Sequence, residues 1–252
     1  MNKFCFLIII LTYCSLSFAQ KNIDSCITFP MFSANYMLQV PSGDMAKRYG
    51  LNSNVGGSFM IKNKKNILIE LNINFIFGNN LKGDATHLFD SISTSNNQAI
   101  INENGEYAKV RTFERGFFAG AKIGKIISFG KPNTNSGILV TLGSGYLQHK
   151  IRIENDGNNA PQILGDYKLG YDKLRYGLAI SEFIGYVYFS KSQALNFMAG
   201  FEFYQSWTKS GRSWDFNLMK KDDGHYLDLL HSLKVGWIIP IYRKEPQPYY
   251  FY

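Results

Sequence analysis

The chain has 252 residues, a formal net charge of +8 and 45% hydrophobic residues, with 20 Phe, 16 Tyr, 3 Trp and 23 Gly. That much apolar and aromatic material excludes a disordered chain, and 3 Cys in this length exclude a disulfide scaffold. A mean hydropathy of −0.16, with no long charge-free apolar run beyond the N-terminus, excludes a bundle of membrane helices.

In chain order, residues 1–19 read as a cleaved export signal. Lys3 gives the basic start, 4–11 the short apolar stretch, and Ser17-Phe18-Ala19 before Gln20 the small-x-small cleavage site. Its removal takes Lys3 away, so the charge becomes 8 − 1 = +7, and it leaves Cys26 as the one cysteine of the mature chain. Residues 20–252 are then expected to form a single domain.

Nearly every apolar run in that domain has a period of two, the strand signal. Eight strands are expected, over 31–40, 54–62, 67–77, 116–129, 137–153, 174–189, 194–206 and 225–242. The third is the clearest. Ile67, Ile69, Leu71, Ile73, Phe75 and Phe77 form one face, against Leu68, Glu70, Asn72, Asn74 and Ile76. Pro30, Pro41, Pro132, Pro161, Pro246 and Pro248 are expected to fall outside the strands, with Pro240 the exception near the end of the last.

The connections alternate long and short, beginning and ending long. Export, alternation along each strand and alternation between connections together predict an all-β fold. It is an eight-stranded antiparallel transmembrane β-barrel with long extracellular loops. The bulky Ile, Leu and Phe sets would face lipid, and the small and polar sets rich in Gly, Ser and Asn would face the narrow interior. Tyr36, Tyr176, Tyr186, Tyr188, Trp207, Trp237 and Tyr242 would form interfacial girdles. The competing fold is a soluble periplasmic barrel of opposite polarity.

The inward set holds Glu70, Lys122, Arg175, Glu202, Asp228 and Lys234, three acids and three bases. Their expected role is a paired network filling the lumen, since an unpaired buried charge costs several kcal/mol. A narrow polar channel for small solutes is the alternative. Glu182 falls on the apolar face between Ile180 and Ile184. A one-residue bulge is the simpler explanation, and contact with another protein the functional one.

The longest loop, 78–115, contains Asn104-Gly105 between short apolar runs, which favours a type I′ hairpin. That hairpin would let the third and fourth strands protrude beyond the membrane, or raise the wall to ten strands. A short helical turn with Asp44 as cap is expected within 42–49. Asn104, Gly105 and Trp214 join Glu182 as candidate partner contacts.

No His, Cys or carboxylate spacing matches a metal or cofactor site, so no cofactor is expected. His231-Ser232 is the one adjacent His/Ser pair, and neighbours on a strand point to opposite faces. Glu182 and His231 are the basis for a lipid-modifying enzyme, a minor alternative to a non-enzymatic barrel. The positive charge is scattered and partly in turns (Lys62, Lys64, Lys65), which suits outer-membrane lipids and lipopolysaccharide rather than nucleic acid. A protein partner in the cell envelope is also expected.

Three segments resemble those of small outer-membrane β-barrel proteins of the Bacteroidetes type. They are Gln39-Val40-Pro41-Ser42-Gly43-Asp44-Met45-Ala46-Lys47-Arg48-Tyr49-Gly50, Gly145-Tyr146-Leu147-Gln148-His149-Lys150-Ile151 and Val235-Gly236-Trp237-Ile238-Ile239-Pro240-Ile241-Tyr242. The resemblance implies location and fold, without an activity. Many such barrels end on the aromatic that closes the last strand. This chain instead continues into a Pro-broken tail ending Tyr249-Tyr250-Phe251-Tyr252. Together these features predict a structural or accessory subunit of an envelope complex, in secretion or outer-membrane protein assembly, acting through its extracellular loops.

Overall fold

The computed structural model describes residues 26–94, 99–129, 133–190 and 195–242. The expected export signal and the aromatic tail lie outside them. The wall is built from β1 (Phe29–Gly43), β2 (Asn52–Lys62), β3 (Ile67–Gly78), β4 (Val110–Ile127), β5 (Gly137–Asn155), β6 (Arg175–Phe189), β7 (Asn196–Ser210) and β8 (His225–Pro240). Each pairs antiparallel with its neighbours in sequence, and β8 closes on β1. Among the described residues no helix is long and apolar enough to cross a membrane.

Alternation sets the polarity. On β3, Ile69, Leu71, Ile73, Phe75 and Phe77 are exposed, while Glu70, Asn72 and Asn74 are buried inside. The same outward apolar set recurs around the wall, as Phe32, Val55, Ile123, Leu142, Ile184, Phe201 and Leu233. Apolar outside and charged inside is the polarity of a transmembrane barrel, and the reverse of a soluble one. The connections 44–51, 79–109, 156–174 and 211–224 leave one end, and 63–66, 128–136 and 190–195 leave the other; the expected long–short alternation fails at the first, since 44–51 is one residue shorter than 128–136.

Several sequence expectations need correction. Pro30 and Pro41 lie inside β1. Asp44 N–H donates to Leu227 O, which fixes the hydrogen-bonding parity of the β1–β8 ladder. By that parity the nitrogen of Pro30 faces β8 and that of Pro41 faces β2, each beyond the last pair on its side. Pro240 is accommodated in the same way, facing β7 past the final Phe197–Trp237 pair. Tyr242 is no girdle residue, because it packs on Phe29 at 4.9 Å beneath the lumen.

The protruding ribbon is formed by β4 and β5, which stay paired out to Val110–Asn155, and not by β3 and β4. The Asn104-Gly105 hairpin is real but short, with one bridge between Ile101 and Tyr107. Gly105 alone takes positive φ (78°) and its N–H donates to Asn102 O, so the turn is type I closed by a left-handed glycine rather than type I′. It does not join the wall. Asp44 stands at the N-cap of the 3-10 turn Met45–Lys47, yet its carboxylate makes no cap bond. It accepts from Lys47 Nζ and from the Leu227 N–H instead.

Candidate functional site: a layered lumen beneath a folded cap

Reading the inward residues upward from the short-turn end gives a succession of layers. Met31, Met60, Leu68, Ile126, Leu139, Phe183, Val187, Met198 and Ile238 form an apolar floor. Above it Glu70, Lys122, Glu202 and Lys234 meet from β3, β4, β7 and β8. Lys122 Nζ donates to Glu202, Lys234 Nζ donates to its other oxygen at 2.9 Å, and Glu70 lies 3.9 Å from Lys234. Two acids and two bases thus balance where solvent is excluded, as burial of charge demands.

A second, incomplete apolar ring follows: Met37, Ile76, Phe118, Leu147, Ala179, Tyr204 and Leu230, with the buried Asn54 of β2 between Met37 and Ile76. Arg175 and Asp228 stand above this ring, apart from the other four charges. Asp228 accepts from Thr208 Oγ1, lies 2.9 Å from His149 Nε2 and is 3.8 Å from Arg175. Arg175 packs over the Tyr226 ring at 3.1 Å. Glu114, also inward, accepts from Asn52 Nδ2 at 2.9 and 3.0 Å.

The large apolar side chains explain the glycines of the inner face. A Cβ on Gly120 or Gly145 would lie 2.7 Å from the tip of the Phe118 ring, and one on Gly185 2.5 Å from that of Phe183. The interior is therefore not uniformly small and polar. Phenylalanines lie across glycine-lined wall and fill the space that polar residues leave.

The long connections fold into a cap with its own core. Met45, Tyr49, Ala85, Leu88, Ile100, Ala160, Ile163 and Tyr171 are buried together, continuous with the upper apolar ring. Backbone hydrogen bonds tie each loop to another: Lys82 N to Arg48 O at 2.8 Å, Glu103 N to Asn159 O at 2.9 Å and Phe216 N to Gly170 O at 3.1 Å. Lys173 and Asp215, both buried, form an ion pair between two of the loops. Asp222 accepts from Tyr226 Oη at 2.6 Å. Burial alone would raise the Asp222 pKa, but the hydrogen bonds from Tyr226 and the Gly224 N–H, with the nearby Arg175 and Arg48, hold it below the usual carboxylate value. Asp44 is also held low, by its hydrogen bonds to Lys47 and to the Leu227 N–H.

The candidate partner contacts are dispersed. Glu182 is exposed midway along β6, on the outer wall. Register runs unbroken through it to Leu142 on one side and Phe203 on the other, so there is no bulge. Phe203 in turn opposes the outward-facing His231, and the two rings stack edge-on at 5.6 Å. Ser232 points inward, away from His231. Asn104, Gly105 and Trp214 are exposed on the cap. Among the described residues no three His, Cys, Asp or Glu side chains are placed to hold a metal ion.

Sequence reasoning missed His149, Thr208, Glu114 and Tyr204 as lumen residues. Strand parity alone places His149 and Tyr204 inward. Thr208 and Glu114 lie just past strand ends that the pattern set too short.

No family model matches the chain. No curated protein matches it either. Among solved structures it is similar to Neisserial surface protein A, at 10% identity over 83% of this chain and 96% of that one, with a TM-score of 0.42. It is similar as well to Ail, the attachment invasion locus protein of Yersinia pestis, at 9% identity over 84% and 99% of the two chains, with a TM-score of 0.43. The outer membrane protein OprG from Pseudomonas aeruginosa matches at 11% identity over 85% and 96%, with a TM-score of 0.34. At such identities and scores the likeness transfers neither activity nor partner.

Proposed function

We propose that the protein is a non-enzymatic outer-membrane barrel of the Bacteroidetes type that works through contacts made by its cap and outer wall, as an accessory subunit of an envelope complex. The observation that carries this reading is the layered lumen. The apolar floor takes a residue from every strand and interrupts the polar layers, while the upper ring is broken at Asn52 and Asn54 of β2, so the charged side chains act as cross-braces and the floor closes the polar path. A rigid plug leaves the surface as the working part.

The outer wall supplies a second support. A carboxylate facing lipid in unbroken register is unfavourable, and Glu182 has an outward imidazole, His231, one strand beyond its neighbour. A partner helix or barrel offering a hydrogen-bond donor at that height would relieve the cost. The test is co-purification from native membranes in mild detergent. Wild type is expected to bring down a stoichiometric envelope protein and Glu182→Leu to lose it while still folding. Recovery of the wild-type barrel alone would contradict the proposal.

A further inference from the structure

A groove of about 620 Å³ opens where the outer wall of β3, β4 and β5 meets the cap. Four cations line it: Arg115, Lys150, Arg152 and the cap residue Lys168. Arg115 and Lys150 are direct cross-strand partners, and Arg152 follows on the same outward face of β5. Like charges placed opposite each other destabilise a sheet, so this arrangement costs the free protein stability.

Two acids offset it in part, one of them, Asp172, on the groove lining itself. Asp172 is held by Arg212, whose Nε donates at 2.7 Å, and it is 3.9 Å from Lys150. Glu154 lies 2.8 Å from Arg152. Among the described residues no carboxylate is within ion-pairing distance of Arg115 or Lys168. Arg115 Nη1 donates to the backbone oxygen of Glu114 at 2.7 Å instead. The lower side of the groove is apolar. Phe77, level with Arg115, and Phe75 below it line it from β3, both exposed, and Phe75 leads straight into the lipid-facing face of β3.

Cations above and exposed aromatic rings below define an amphipathic ligand with an anionic head. We propose that this groove binds a phosphate-bearing lipid of the leaflet on the long-loop side. Its phosphate would sit among Arg115, Lys150, Arg152 and Lys168, and an acyl chain would run down Phe75 and Phe77. Several cations along one groove suit a phosphate, which offers more acceptor oxygens than a carboxylate. The apolar floor and the position at the belt edge favour a lipid over a free ion. The inference rests on the reading of the chain as a membrane-spanning barrel, but not on any protein partner.

The experiment uses the full mature chain in detergent, stripped of lipid, with native mass spectrometry as readout. The probes are lipid A carrying both phosphates, the same lipid with its phosphates removed, and inorganic phosphate. Retention of the phosphorylated lipid is expected. Lys150→Gln/Arg152→Gln should weaken it roughly 10- to 30-fold, on about 1 kcal/mol per basic residue. The control Lys64→Gln/Lys65→Gln, on the exposed opposite rim, should leave it unchanged. Equal retention of the dephosphorylated lipid, equal loss in the control variant, or displacement by millimolar inorganic phosphate would each overturn the site. Insertion into vesicles, read as heat-modifiable gel mobility, separates the two claims. A barrel that inserts without selecting the phosphorylated lipid overturns the site alone, and one that never inserts overturns both.

Discussion

At the residue scale, two carboxylates of the same type have opposite fates. Glu202 is fully buried and answers two ammonium groups, Lys122 and Lys234, which are themselves sealed from solvent. Glu202→Gln leaves both cations in the lumen with Glu70 as the remaining acid, 3.9 Å from one of them. A loss of about 3–5 kcal/mol is expected in urea unfolding from lipid vesicles, and a change below about 1 kcal/mol would show that the network is hydrated and dispensable. Glu182 faces lipid, so Glu182→Leu should leave stability unchanged or raise it by up to about 2 kcal/mol in the same titration.

The cap carboxylates add a pH dependence. Asp44 and Asp222 have folded pKa values below the usual carboxylate value. The unfolded state therefore binds protons first as the pH falls. Their contribution is present above the ordinary Asp value of about 3.9 and fades as the pH drops through the lower folded values. Protection factors in 44–51 and 211–224, corrected for the intrinsic exchange rate, should fall as the pH drops below about 4 while the strands stay protected. Uniform protection down to about pH 2 would contradict this anchoring.

At the element scale, strands were the legible part. All eight alternating segments are strands, because a wall with lipid outside and packed side chains inside imposes a period of two on both faces. The ends were less legible. β4 begins at Val110 rather than 116 and β7 runs to Ser210, since above the membrane both faces meet protein or water and the apolar signal fades. The hairpin around Gly105 was visible from Asn-Gly. Its destination in the cap was not, because that depends on Ile100 being buried with Leu88 of its own loop and with Ile163 of another.

The inward glycines of β4 and β5 make a prediction at this scale. A Cβ on Gly145 would approach Ala119 O to 2.4 Å and Gly120 Cα to 2.7 Å, with the Phe118 ring on its third side. Gly145→Ala should destabilise the barrel by about 1–3 kcal/mol through forced wall and ring shifts. Gly105→Ala meets no atom within 4 Å and bears only the strain of φ +78°. Its cost should be about 1 kcal/mol. Equal effects of the two in vesicle unfolding would show that Phe118 does not pack on the wall.

At the scale of the whole molecule, the six inward charges could be read from strand parity, because each alternates with an apolar residue. Their division into two clusters could not. It follows from barrel register, which sets Lys122 beside Glu202 across the lumen and lifts Asp228 to the level of His149. The phenylalanine layers are equally hidden in the sequence, since Phe118 and Phe183 break the small-polar pattern of their faces. Together they interrupt a polar lumen, and if the plug proposed above holds, planar-bilayer recordings with purified protein should show no steady conductance.

The direction in which the wall faces decides between a membrane barrel and a soluble one. Single cysteines introduced along β3 in a Cys26→Ser background, spin-labelled and reconstituted in vesicles, test it directly. Labels at positions 69, 71, 73 and 75 should be reached by dissolved oxygen from the lipid and shielded from a water-soluble nickel reagent, while labels at 70, 72 and 74 should be shielded from both. The account would be contradicted by nickel accessibility at Ile69, Leu71 and Ile73, which would place the apolar face in water.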